Sequence, residues 1–189
     1  MARLPLIDPE TATGEVATAL AATPVKLNIF RMMAHAETCI VPQMMLGAAI
    51  LARQALGHRE RELLILLIAG LERGAYEWRQ HVAIALGVGV PQVQIDALER
   101  ADLTASVFSD SERALLAFGR QVIEDVHVDD AVFAEARRYF SPREIVEVTL
   151  AIGYYMTMTR LTEVTQTDLD PSAGMAVFNS AQSPPKEWG

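Results

Sequence analysis

The chain has 189 residues, enough to bury a core as one domain or as two small halves sharing one. Charged residues make up 21% and hydrophobic ones 51%, which excludes a disordered polymer. A formal charge of −8 without any Lys/Arg cluster argues against nucleic acid and anionic membrane surfaces as partners.

Cys39 is the only cysteine, so neither an intrachain disulfide nor a cysteine-only metal cage is available. The start, Met1 to Pro5, lacks the apolar core of a secretory signal, and no uncharged stretch approaches the ~18 apolar residues of a bilayer span. A cytoplasmic, soluble protein is the expectation.

In chain order the pattern predicts helix after helix, rich in Ala, Leu, Glu, Arg and Met and with little period-two alternation. A short helix over Gly14 to Ala22 is stopped by Pro24. Another covers about Asn28 to Ala34, and a longer one runs from about Pro42, suited to a first turn, to Ala55. Gly57 and His58 separate it from a helix over about Arg59 to Glu72. There the run Leu63 to Ile68 is apolar on all sides, as expected in a core or at a subunit interface.

Gly74 breaks that helix, and one over Tyr76 to Leu86 follows until Gly87 and Gly89. Pro91 opens a helix ending near Ala101. Ser109 with Glu112 and Ser141 with Glu144 carry the capping pattern in which hydroxyl and carboxylate satisfy first-turn amides. The second pair starts a helix over Pro142 to about Thr165. The expected organisation is one helical domain over 1–170 and an extended tail over 171–189, with Trp188 near its frayed end.

Three polar elements gather near the apolar run. Glu77 and His81 lie one helical turn apart, and Trp78 precedes His81 by three residues. Such a pair orients an imidazole, whose titration range suits proton transfer. Spacing alone favours a surface ion pair over a site. Glu62 comes 19 residues before His81. In a simple hairpin turning near Gly74, Glu62 lies roughly 15 Å along one helix and His81 roughly 7 Å along the other. Direct contact then needs a skewed crossing, long side-chain reach or a bridging water. Arg61-Glu62-Leu63-Leu64 is echoed by Arg143-Glu144-Ile145-Val146, 82 residues later.

Arg61-Glu62-Leu63 followed by Tyr76-Glu77-Trp78 and His81 resembles the carboxymuconolactone decarboxylase family, alkylhydroperoxidase D-like in fold. The resemblance is most specific over Leu56 to Gly89. It implies an all-α alkylhydroperoxidase D-like bundle with a weak internal two-fold repeat, a homo-oligomer (trimer or hexamer), and Glu62 as partner of His81 in a proton relay. The family's peroxidase branch carries Cys-x-x-Cys-x-x-x-His. Aligning that histidine on His81 puts the thiol slots at Gly74 and Glu77, and neither is a thiol. A dithiol cycle needs an attacking and a resolving cysteine, and Cys39 cannot be both.

The lactone-decarboxylase branch needs no thiol. It implies a cofactor-free lyase or isomerase for a small lactone or unsaturated carboxylic acid. His81 is then the acid/base, Glu62 or Glu77 fixes its tautomer, and Tyr76, Trp78 and His35 line the substrate site. A cation for a substrate carboxylate is available in Arg59, Arg73, Arg79 or Arg160, unranked by the sequence. Tyr154 and Tyr155 read mostly as core, with one hydroxyl within reach of a ligand. No metal site is expected, since His-x-x-x-His is absent. Two other readings stay open: a non-catalytic binding or assembly protein on the same fold, and a thiol peroxidase using Cys39 with an external reductant.

Overall fold

A computed structural model describes residues 1–183 of the chain, and these form helices and connecting turns without strands. The helices are α1 (Gly14–Ala22), α2 (Asn28–Met33), α3 (Ile40–Arg53), α4 (His58–Leu71) and α5 (Ala75–Gly87). After them come α6 (Gln92–Glu99), α7 (Asp110–Asp125), α8 (Asp130–Ala136), α9 (Pro142–Thr165) and α10 (Met175–Gln182). None is long and apolar enough to cross a membrane.

α4 is the axis of the bundle. Every residue from Arg61 to Ala69 is buried, because α5, α6, α7 and α9 pack around it. The apolar run Leu63 to Ile68 is therefore covered within one chain, and its all-round hydrophobicity requires no second subunit. α7 comes close to α4 at Gly119, where a Cβ would stand 2.7 Å from Leu64 Cδ1 and 3.3 Å from Leu67 Cδ2. Both capping boxes form as the sequence predicts, Ser109 with Glu112 and Ser141 with Glu144.

The stop between α4 and α5 is set one residue earlier than Gly74. Arg73 takes the left-handed conformation (φ 58°), its amide bonds to Gly70 O at 3.3 Å, and the Gly74 amide bonds to Ala69 O at 2.8 Å. This is a Schellman closure with arginine in the position glycine usually fills. Gly74 itself is there for space: a Cβ would fall 2.6 Å from the Cγ2 of Thr159 on α9.

Two elements depart from expectation. α8 lies in a segment for which no helix is predicted, and it packs on α7. The extended arm expected over 171–189 contains α10, which packs on α3 and α5 with Phe178 and Ala181 buried. The spacing of Val177, Phe178 and Ala181 is that of one helix face. Its flanks, Asp170-Pro171 and Pro184-Pro185, carry stronger turn signals than those few apolar residues. Trp188 lies outside the described residues.

The Arg-Glu echo survives in position and is lost in burial. Arg61 and Glu62 are fully buried in α4. In α9, Arg143 pairs with Glu147 near the surface and Glu144 serves the cap.

Gly119→Val should destabilise the fold by about 2–3 kcal/mol, because the added side chain would press on Leu64 and Leu67 in the core. Urea unfolding monitored by circular dichroism checks this. Unchanged stability would show that α7 can move off α4 at little cost.

Candidate active site

Glu62 and His81 meet directly: Nδ1 lies 2.8 Å from Glu62 Oε2, and both side chains are buried. The offset expected of a parallel-sided hairpin is taken up by the crossing of α4 and α5 and by the reach of the glutamate. No bridging water is needed. The second carboxylate oxygen, Oε1, accepts from Arg61 Nε and Nη2 at 3.3 and 3.2 Å. Arg61 is fully buried, donates through Nη1 to His58 Nδ1 at 2.9 Å, and lies 5.5 Å from the Phe178 ring centroid. Burial and the neighbouring guanidinium push His58 below its ordinary pKa, which keeps it neutral and able to accept.

The result is a continuous chain, His58–Arg61–Glu62–His81, in which each buried polar group faces a partner. Sequence reading quotes Arg61 as a motif residue and gives it no role. The available signal was its place inside a helix whose following residues are wholly apolar. A charge there must be buried and therefore paired.

The imidazole opens onto a cavity of about 80 Å³ bounded by α2, α3, α5, α9 and α10. From α5 come Tyr76, Glu77, Gln80, His81 and Ile84, successive members of one helical face. From α9 come Tyr154, Tyr155 and Met158. The Tyr155 ring stands edge-on to the His81 ring, with centroids 4.9 Å apart, and so helps to fix the imidazole plane. Among the described residues no arginine or lysine lines the cavity.

Glu77 does not bond to His81. The Thr162 hydroxyl lies 3.1 and 3.0 Å from its two carboxyl oxygens, and burial raises its pKa above the usual carboxyl value. The Glu77 backbone amide, the Thr162 hydroxyl and the neighbouring His81 oppose that rise only in part.

The aromatic and histidine candidates separate. Tyr76 lines the cavity with its ring, but its hydroxyl donates to Asp170 and accepts from the Ile29 amide at 3.2 Å. Gln80 holds the same 170–173 segment, donating to Pro171 O at 3.2 Å and accepting from the Ala173 amide at 3.0 Å. Asp170 also accepts from the Asn28 amide at 2.7 Å, so a strap after α9 is tied to both α2 and α5. Nothing in local sequence pairs Asp170 with Tyr76, 94 residues away.

Trp78 is a correction: it does not line the cavity. It lies with Val82 and Ala85 on the neighbouring helical stripe, packed on the core beside Gly70 of α4. His35 is another. Its ring is exposed, and Nε2 sits 2.7 Å from Pro5 O, tying down the N-terminal segment away from His81.

The four arginines proposed as anchors are also elsewhere. Arg59 binds Glu112 and Gln94, Arg160 binds Glu72 at the surface, and Arg73 and Arg79 are exposed. Among the described residues no group of three His, Cys, Asp or Glu stands together as metal ligands would. Cys39 is exposed, just ahead of α3, and is not part of the cavity wall.

Residues 43–121 match the carboxymuconolactone decarboxylase family. No curated protein matches the chain. Among solved structures it is similar to ATU0492 from Agrobacterium tumefaciens, a protein of unknown function: 25% identity, 72% of this chain and 94% of that one, TM-score 0.67. It is similar to the alkylhydroperoxidase AhpD core of a peroxidase-related protein from Ralstonia eutropha JMP134: 17% identity, 97% of each chain, TM-score 0.77. It is also similar to a variant of the debrominase Bmp8 in complex with 2,3,4-tribromopyrrole: 18% identity, 88% of this chain and 85% of that one, TM-score 0.67.

Glu77 gives a pH prediction. Its folded-state pKa is raised, so burial favours the protonated form, and the penalty of a buried carboxylate appears as pH rises through that pKa. Glu77→Gln keeps an acceptor for Thr162 and does not titrate. Melting temperatures should coincide on the acid side and diverge with rising pH, the wild type becoming the less stable. A difference independent of pH would refute the assignment.

Proposed function

We propose that this chain, which belongs to the carboxymuconolactone decarboxylase family and has its alkylhydroperoxidase D-like fold, is a cofactor-free lyase or isomerase moving protons on a small lactone-like substrate. The observation that carries the reading is the buried Glu62–His81 contact at the wall of an apolar cavity. With Nδ1–H donating to the Glu62 carboxylate, the Nε2 lone pair is the base available to a substrate, and Nε2–H afterwards the acid. Arg61 holds the other carboxylate oxygen and so fixes the orientation of Glu62. A tied tautomer is what general acid/base work requires of an imidazole.

The cavity wall narrows the substrate. Its cation, Arg61, stands behind Glu62 instead of facing the hollow, and the remaining polar groups are neutral donors and a protonation-prone glutamate. This supports an uncharged lactone or unsaturated carbonyl compound over a free carboxylate, which would enter unpaired. Thiol peroxidase chemistry has less support. One thiol slot is Glu77, and at the other a side chain would collide with Thr159.

The test is carbon-acid exchange. 2(5H)-Furanone in D2O, with the protein carrying Cys39→Ser to prevent thiol addition, should lose its C5 proton signal faster than in buffer. His81→Ala should slow the enzymic rate by roughly 10²–10⁴-fold. Exchange in His81→Ala at the parent rate, or no acceleration by the parent, would sink the reading.

A homo-oligomer, trimer or hexamer, belongs to the same proposal. Support comes from Val146 and Leu150, exposed apolar residues one turn apart on α9. Light scattering should give a multiple of 20.7 kDa, and a monomer mass would overturn it.

A further inference from the structure

The polar groups around the cavity are unequal in what they have left to offer. Tyr76 has spent its hydroxyl on Asp170 and Ile29, Gln80 its amide on the strap, and Glu77 faces Thr162. Tyr154 has not. Its hydroxyl has no hydrogen-bond partner among the described residues, and burial alone raises its pKa above the ordinary tyrosine value. A half-buried phenol that faces the cavity and stays protonated is a donor open to an acceptor there.

The position of that hydroxyl is fixed from the opposite wall. It abuts Gly47 of α3, itself a cavity residue, where a Cβ would overlap the phenol oxygen and stand 2.8 Å from Cζ. Glycine at 47 is thus what lets the phenol reach across from α9. The ring is held edge-on to Tyr155, with centroids 5.3 Å apart, and Tyr155 in turn is edge-on to His81. Tyr154 also walls a second apolar cavity of about 60 Å³, which shares Phe30, Leu51 and Val177 with the first.

We propose that the Tyr154 hydroxyl, seated against Gly47, determines specificity by donating a hydrogen bond to the carbonyl oxygen of the uncharged substrate that occupies the cavity beside His81. The proposal rests on the reading of this cavity as the substrate site. It assigns the oxygen-binding group that the acid/base step needs. When His81 Nε2 takes a proton from a carbon conjugated to the carbonyl, the C–H electron pair moves into the π system and negative charge gathers on the oxygen. The phenol keeps its proton and its hydrogen bond strengthens. The imidazolium then returns its proton to carbon, and nothing is oxidised or reduced.

γ-Butyrolactone and tetrahydrofuran differ in the carbonyl and share the ring, so ligand-observed NMR titration of the full chain isolates this contact. The wild type should bind the lactone about three- to tenfold more tightly than the ether. Tyr154→Phe should erase that preference and leave tetrahydrofuran affinity within about twofold. Gly47→Ala, which displaces the phenol without altering it, should also erase it. A preference that survives Tyr154→Phe overturns the proposal, as does a wild type that binds the two equally or binds neither.

Furanone exchange separates this from the acid/base reading. Loss of the preference in Tyr154→Phe alongside undiminished exchange in His81→Ala would sustain the carbonyl site and sink the histidine. An unchanged preference with exchange lost only in His81→Ala would do the reverse.

Discussion

The structure depends on one buried carboxylate having two partners. Glu62 sits in the centre of the bundle, fully enclosed, and an unpaired carboxylate there would cost several kcal/mol. Arg61 on one oxygen and His81 on the other remove that cost and set the relative placement of α4 and α5. Breaking such a pair from one side typically costs about 3–5 kcal/mol, so the geometry that orients the imidazole is also part of what holds the core together. Arg61 then needs its own partners. His58 supplies an acceptor and Phe178 of α10 a π face.

This arrangement separates charge from chemistry. The guanidinium neutralises the site from behind, and the cavity is left with aromatic rings, aliphatic side chains and neutral donors. In such surroundings the few hydrogen bonds a ligand can make are worth more than in water, because no solvent competes for them. A tied histidine on one wall and an untied phenol on another form the pair that the proposed reaction asks for: one group would take the proton from carbon, the other would hydrogen-bond the oxygen on which charge gathers. The Tyr76 hydroxyl, at the same site, serves architecture through Asp170.

How much of this was legible in the sequence follows from the range of the interactions. Helices fixed by local signals stand where periodicity and caps put them: α1 between Gly14 and Ala22, α7 behind Ser109, α9 behind Ser141. The Glu62–His81 pair came from resemblance, since hairpin geometry left it undecided. Trp78 and His35 failed for a local reason. A three-residue spacing does not say which of two adjacent stripes faces a cavity, and a helix-end histidine has many possible carbonyl partners. α10 and the Asp170 strap escaped because their stability comes from contacts across more than 90 residues, whereas their composition reads as turn and tail. Arg61 was in view, but its role depended on knowing that its helix is buried on all sides.

The two positions that the resemblance aligns with the peroxidase branch's cysteines, 74 and 77, both pack against α9. Gly74 is closed to any side chain by Thr159, and Thr159 belongs to the helix that also supplies Thr162 to Glu77 and Tyr154 and Tyr155 to the cavity. Restoring a thiol at 74 would therefore require α9 to withdraw, and withdrawing α9 would dismantle the aromatic wall beside His81. Glu77 is held in the same way: its neutral form is favoured by burial against α9, and a sulfur in its place would leave the Thr162 hydroxyl with poorer company. The missing thiols are thus compensated by a packed α5–α9 contact. That contact fixes the imidazole and shelters the hollow, and it is the physical reason to look for proton transfer here instead of sulfur redox.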